Sequence, residues 1–341
     1  MCILQSEDNR KSIYFHTISG RTKFFIFFFL LIIINCQLIF SQQSLQYSQF
    51  MLNNYGLNPA ACGISNNHIE ALTGIRRQWV GFDNFPVSMF LNVNAYLGRK
   101  GGFKRVIHGL GAYWQMDQQG GLFRSDSYYA SYTYHLRMMK GFFVAFGLAA
   151  GARRHVVEYP DKNDPVFANK VLWIYPDFIP GIKIYSSKWA YDFSVKQLYK
   201  GKLKQGSDVI GSPSKLTPHF YLMASHKWWA KTNLLIVQSV HIKHEIASLP
   251  SVDLNMLVYL RRNFVLGLSY RHLDAIIGMV QFRYDKLVIG FAYDFTIAPY
   301  RIGFANTQEI MLGISPSPYY DTDIIRYRTA ECPNFDLGII K

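Results

Sequence analysis

Residues 263–296 read NFVLGLSYRHLDAIIGMVQFRYDKLVIGFAYDFT, and their side chains alternate with a period of two. Leu287, Ile289, Phe291, Tyr293 and Phe295 are large and apolar, whereas the interleaved Val288, Gly290, Ala292, Asp294 and Thr296 are small or polar. Phe264, Leu266, Leu268 and Tyr270 stand against Val265, Gly267 and Ser269 in the same way. Successive side chains of an extended strand point to opposite sides, so this pattern predicts strands with two unlike faces. The breaks at 271–274 and 285–286 are short enough for hairpins between antiparallel neighbours. A greasy face with aromatics near its ends, backed by a small and polar face, suits lipid outside and a polar lumen inside.

The rest of the chain supports that reading. Long helical periodicity, usual in a soluble enzyme of 341 residues, is almost absent after residue 42. Aromatic residues make up 16%, which fits the interfacial girdles of a membrane barrel better than a soluble β-protein. The formal charge is +14, and it stays at +12 once the leader's four bases and two acids are removed. Its cations are scattered at strand ends and turns, among them Arg99, Lys100, Lys104, Arg105, Arg261 and Arg262. They form no stripe, so lipid head groups rather than nucleic acid are the expected partners.

The order of segments predicts an exported barrel. Residues 24–34, FFIFFFLLIII, follow Arg21 and Lys23 and precede Ser41, the length and flanks of a secretory signal; residues 1–41 are read as a signal peptide. A signal anchor is the alternative, weakened by Asn35, Cys36 and Gln37, which interrupt the apolar run. Residues 42–67 are polar and turn-rich and form an N-terminal periplasmic or plug segment. An all-β transmembrane antiparallel β-barrel then occupies 68–314. Its strands are expected at 68–79, 88–97, 107–115, 125–136, 142–156, 173–185, 189–198, 219–227, 233–242, 251–260, 263–270, 274–284, 287–295 and 307–314. That makes fourteen, an even number, so both ends emerge on the periplasmic side. Residues 315–341, with Pro316, Pro318 and Pro333, form a C-terminal tail without period. The small faces are rich in Gly, Ala, Ser, Thr and Asn, which points to a narrow or filled lumen rather than the charged lumen of a general porin.

Motifs that would carry chemistry are weak. His241, Lys243, His244 and Glu245 resemble a metal motif at first sight, but strand spacing puts His241 and His244 on opposite faces, and no metal or cofactor is expected. Gly109, Gly111, Gly147 and Gly151 read as strand glycines, because no βαβ unit follows them. A barrel lipase or protease would need Ser, His and an acid together; His135, Ser269, Asp274 and Asp294 are the candidates. Asp274 and Asp294 are more simply satisfied by Arg271 or Arg283 inside the barrel, since a buried charge needs a partner. Arg77, Gln78 and Trp79 close the first strand, either as a plug or partner contact or as an interfacial Trp with Arg at the head groups.

Several stretches together resemble the PorP/SprF family of outer-membrane proteins of the type IX secretion and gliding machinery of Bacteroidetes. They are Gln46, Tyr47, Ser48 and Gln49 with Asn58, Pro59 and Gly63; Arg77, Gln78, Trp79, Gly81 and Phe82; and Asp274 with Tyr293 and Asp294. Asn54, the pair Ala61 and Cys62, and the pair Asn84 and Phe85 depart from the family pattern. The resemblance implies a multi-pass, non-enzymatic outer-membrane component that helps deliver or anchor secreted proteins at the cell surface. Its implied partners are a cargo C-terminal domain and the periplasmic machinery. A diffusion porin or solute transporter is the competing class, and a barrel enzyme the third. Of four cysteines, only Cys62 and Cys332 lie outside the leader, and they are a candidate disulfide pair next to the first and last strands.

Overall fold

The computed structural model describes residues 46–64, 69–97, 106–121, 123–139, 142–157, 171–198, 217–231, 234–245, 248–260, 263–297 and 306–315. Within them lie fourteen strands: β1 (Ile69–Val80), β2 (Val87–Leu97), β3 (Val106–Gln119), β4 (Phe123–Met139), β5 (Phe142–Val157), β6 (Val171–Ser186), β7 (Trp189–Lys196), β8 (His219–Lys231), β9 (Leu234–Glu245), β10 (Ser251–Leu260), β11 (Phe264–Arg271), β12 (Ala275–Tyr284), β13 (Leu287–Thr296) and β14 (Asn306–Ile314). Every neighbour is antiparallel, and β1 pairs with β14 from Ala71↔Ile314 to Arg77↔Gln308, closing the barrel. The period-two reading therefore holds for all fourteen strands. β3, β4 and β8 run a few residues further than their patterns indicate, because the hydrogen-bonded ladder continues through rim residues whose side chains no longer alternate between apolar and polar.

Faces divide as the alternation requires. Leu287, Ile289, Phe291 and Phe295 of β13 are exposed outward, while Val288, Ala292 and Asp294 are buried. No helix among the described residues is long and apolar enough to cross a membrane; the crossing is made by strands. At the rim where β1 begins and β14 ends, the connections are mostly short, such as 285–286 between β12 and β13. The longest connections, 158–170 and 197–218, lie at the opposite rim. Short turns face the periplasm and long loops the exterior in such barrels, so the first is the near, periplasmic rim and the second the far, extracellular one.

Two features break the uniform wall. The first is its filling: Phe50, Met51 and Leu57, which precede β1, share one apolar cluster with Tyr221, Leu235, Leu257 and Tyr259 of the inner wall. Residues 46–64 therefore occupy the lumen, and the inner faces carry large apolar side chains as well as the small residues that dominate the sequence pattern. The second is a fork between β6 and β7. β6 pairs with β5 along its whole length, from Phe142↔Ser186 to Val157↔Val171, yet with β7 only from Gly181↔Ser194 to Tyr185↔Ala190. Among the described residues, the far half of β6 has no strand on that side.

Candidate functional site

The plug descends from the far half of the lumen to the near rim. It starts with a turn in which Leu52 N–H and Asn53 N–H both donate to the Gln49 carbonyl at 2.9 and 3.2 Å. A single helical turn, Asn54–Leu57, follows, with the Asn53 side chain accepting from Gly56 N–H. The cap on the next turn is Asn58, whose side-chain oxygen accepts from Ala60 N–H at 2.9 Å to start the 3-10 turn Pro59–Ala61. Asparagine suits both cap positions because its short side chain reaches the backbone N–H groups a helix start leaves unpaired, and proline suits N1 because its missing N–H would be unpaired anyway. The segment is thus built of turns that expose backbone groups toward the wall.

At its upper end the plug is held by ions. Glu309 of β14 accepts the backbone N–H groups of Ser48 and Gln49 at 2.7 and 2.8 Å. Ser48 Oγ donates to Asp294 of β13 at 2.7 Å. Arg76 of β1 binds both acids, with Nη2 2.8 Å from Asp294 and Nη1 3.3 Å from Glu309. The chain of charges continues around the wall, Asp294 to Arg271 at 3.4 Å, Arg271 to Asp253 at 3.3 Å and Asp253 to Lys243 at 2.8 Å. Lys243 Nζ closes it on the plug by donating to Gln46 Oε1 at 3.0 Å. These groups are almost wholly buried, so each ion depends on its partners to offset the loss of water.

Lower down the plug's own groups are neutral, and two of their wall partners, Asp192 and Lys196, are charged. Tyr55 meets Ser131 at 2.7 Å. Asn58 Nδ2 donates to the Ile182 carbonyl and to Asp192 Oδ1, both at 3.0 Å. Thr133 Oγ1 donates to the Pro59 carbonyl at 2.7 Å, His135 Nε2 lies 2.7 Å from the Cys62 carbonyl, and Gly63 N–H donates to Asn94 Oδ1 at 3.2 Å. Wall glycines make room for this backbone: a Cβ at Gly147 would strike Ala60 N, and one at Gly290 would strike the Gln49 side chain. Close approach of the plug accounts for both.

The sequence candidates sort cleanly onto this geometry. Gln46, Tyr47, Ser48, Gln49, Asn58, Pro59 and Gly63 all lie in the plug, and Asp294 is its ionic anchor. Asp274 sits half exposed at the far rim, 3.3 Å from Arg271, and Tyr293 packs tilted against Phe295 with ring centres 4.6 Å apart. Arg77 and Trp79 are exposed, and residues 79–82 form the far-rim turn, with Trp79 at φ 57° and Gly81 at φ 111°. Of the two readings open for Arg77, Gln78 and Trp79, a plug or partner contact and an interfacial Trp with Arg at the head groups, the plug contact is made by Arg76, one residue before Arg77 and on the other face. Parity with Leu72 and Gly74 was the signal that identifies it.

The hydrolytic constellation is not assembled. His135 is engaged with the Cys62 carbonyl and Tyr185, Ser269 donates to the Leu254 carbonyl, and Asp294 binds Arg76 and Ser48. Each acid needed for such chemistry serves the plug or the rim. Of the two arginines considered for the acids, Arg271 takes both, and Arg283 lies 5.1 Å over the Tyr259 ring. His241 is buried and His244 faces outward, and no metal-binding group of three ligands occurs among the described residues. Cys62 is fully buried, and burial pushes its thiol up to about 12. It carries no disulfide there, and Cys332 lies outside the described residues, as do the signal peptide and the C-terminal tail.

Residues 39–314 match the family model for the type IX secretion system membrane protein PorP/SprF. The chain belongs to this family. As a PorP/SprF protein with a closed fourteen-stranded barrel, it is a type IX secretion component of the outer membrane. No curated protein matches the chain. Among solved structures, the Ralstonia pickettii toluene transporter TbuX is similar at 11% identity and a TM-score of 0.46, covering 78% of this chain and 92% of that one. The Pseudomonas putida toluene transporter TodX is similar at 9% identity and a TM-score of 0.45, covering 81% and 94%. A Pseudomonas aeruginosa FadL homologue is similar at 11% identity and a TM-score of 0.44, covering 75% and 91%.

Proposed function

We propose that this PorP/SprF protein is a non-enzymatic, plugged scaffold that helps deliver or anchor secreted proteins at the cell surface. Its far rim recognises a cargo C-terminal domain, and its near rim meets the periplasmic machinery. The observation that carries the reading is the plug: residues 46–64 are bonded to both the β13–β14–β1 side and the β4–β7 side of the lumen. A lumen spanned in this way serves recognition and tethering better than diffusion, which is what favours a scaffold over a porin or solute transporter. Co-purification from native outer membrane tests it. Recovery of secreted proteins that share a C-terminal domain, together with periplasmic type IX components, is the expected result. Steady, large, ohmic conductance of the pure protein in planar bilayers, without such partners, would establish the porin instead.

A further inference from the structure

Along the far rim from β9 to β2, the connections carry side chains that turns seldom hold. Leu249, between β9 and β10, is 75% exposed, and Leu273, between β11 and β12, is 60% exposed. Ile297, just past β13, and Trp79 and Phe82, at the turn between β1 and β2, are exposed as well. These connections follow one another around the closed barrel, so the side chains line one continuous arc. Turns favour Gly, Asn, Asp and Ser, and a large apolar residue exposed at a tip gains no packing there. Leu273 at φ 58° and Trp79 at φ 57° also hold a left-handed backbone, which Gly or Asn adopts with less steric resistance. Fold stability therefore gives no reason for a leucine and a tryptophan at these positions. The arc is also tied together: His272 N–H donates to the Val252 carbonyl at 3.0 Å, and Ile297 N–H to the Asp274 carbonyl at 2.8 Å. Val80 pairs with Asn306 across the seam. A surface fixed in this way loses little freedom when it binds.

The chemistry around the tips selects the occupant. On the outward face Arg77 of β1 pairs in register with Gln308 of β14, and this polar pair ends the apolar band at the seam. Trp79 and Phe82 follow Arg77 and stand beyond it. Carboxylates flank the apolar side chains: Asp83, exposed, follows Phe82, and Asp274, with its side chain 43% exposed, follows Leu273. Arg271 is buried and shared by Asp274 with two further acids, Asp253 and Asp294, so the charge at this tip is not cancelled. Among the described residues of these tips, 79–86, 248–250, 271–274 and 297, there is no other lysine or arginine. An acidic fringe repels the phosphates of lipid head groups, whereas it complements a protein face with an apolar centre and a basic border.

We propose that this arc of apolar tips, fringed by Asp83 and Asp274, is where a secreted protein docks from the cell exterior, through a face that is apolar at its centre and rich in lysine or arginine at its border. Docking of this kind rests on the delivery and anchoring role proposed for the protein and confines it to one half of the far rim. Two measurements test it. In the first, Leu273→Cys in a Cys332→Ser chain is labelled with the polarity-sensitive fluorophore bimane and reconstituted in liposomes without any partner. Emission typical of water is expected; blue-shifted emission, quenched by brominated phospholipid, would overturn the proposal, because the tips would then lie in lipid. In the second, the parent, Leu273→Asn, Phe82→Ser and the double variant Asp83→Lys with Asp274→Lys are purified in parallel from native outer membrane. The secreted proteins that accompany the parent should fall by about fivefold or more in each variant, while the periplasmic components stay. The folded, heat-modifiable band of Leu273→Asn should survive to the parent's temperature or above, since asparagine relieves the left-handed backbone. Undiminished recovery in all three variants would overturn the docking arc and leave the scaffold reading intact. Absence of secreted proteins from the parent itself would remove that reading, and the docking arc with it.

Discussion

The two sides of the lumen solve opposite problems. On the β13–β14–β1 side the wall is fully paired, and the plug is held by ions shared among three strands. On the β5–β6–β7 side β6 and β7 pair, among the described residues, only toward the near rim, and the plug's Asn58, Pro59 and Ala60 meet the wall there through their own neutral groups and close backbone contact. The charged side cannot be loosened without stranding a buried ion. The neutral side can be altered in small steps, because each bond there contributes only about 1 kcal/mol.

The largest effect is expected on the charged side. Arg76→Met leaves Asp294 facing Ser48 with only Arg271 at 3.4 Å, and Glu309 with no cation. Breaking one partner from a buried ionic group costs about 3–5 kcal/mol. The temperature at which the folded, heat-modifiable band disappears should fall clearly below that of the parent. Neutralising the acids as well, with Asp294→Asn and Glu309→Gln, should recover part of the loss, because no buried charge is then left alone. A single variant as stable as the parent would mean that the ionic contact does not hold the plug.

Gly147→Val attacks the other side by space rather than charge. The new side chain would collide with Ala60 N, and overpacking of this kind costs about 1–3 kcal/mol. β5 keeps its pairing on both flanks, so the barrel should persist and the plug should give way. Cys62 reports this directly. With the thiol held near 12 by burial, its thiolate fraction at pH 8 is roughly a thousandfold below that of an ordinary cysteine. Alkylation should be very slow in the parent and should accelerate in the variant together with the appearance of bilayer conductance. Equal, slow labelling in both proteins would show that the plug tolerates the added side chain.

A smaller loss is expected from Asn58→Ala. It removes the cap on Ala60 N–H and the bonds to Ile182 and Asp192, for about 1–2 kcal/mol. Asp192 keeps Lys183 at 2.7 Å, so no buried charge is stranded and the decline should be well short of that of Arg76→Met. Thermal loss of the folded band, measured side by side, ranks the two; a larger effect at Asn58 would reverse the assignment of the firm and the soft side.

The strands were legible because lipid and lumen impose a period of two along most of each strand, as β13 illustrates from Leu287 to Phe295. The plug was legible only as a turn-rich stretch, since Ser48, Asn58 and Gly63 carry no period and acquire their meaning from wall atoms some 30 to 260 residues away in sequence. Arg76 was missed for a different reason. A charge inside a run of wall residues looks like the end of a strand when read along the chain, and it looks like a ligand for the plug only when read by parity against Leu72 and Gly74.

The smallest effect sharpens the comparison most, because it separates two adjacent arginines. Arg77 follows Arg76 in β1, pairs with Gln308 of β14 just before the register shift toward Val80, and is exposed. Period two puts it outside the lumen, where solvent and head groups already accommodate its charge and no buried acid depends on it. Arg77→Gln should therefore change stability by no more than about 0.5 kcal/mol, the usual range for a surface substitution, and leave Cys62 as slow to alkylate as in the parent. A loss comparable to that of Arg76→Met would mean that the β1–β14 seam depends on the charge at its outer rim, and the contrast between a firm ionic side and a soft neutral side would then lie in the wall rather than in the plug.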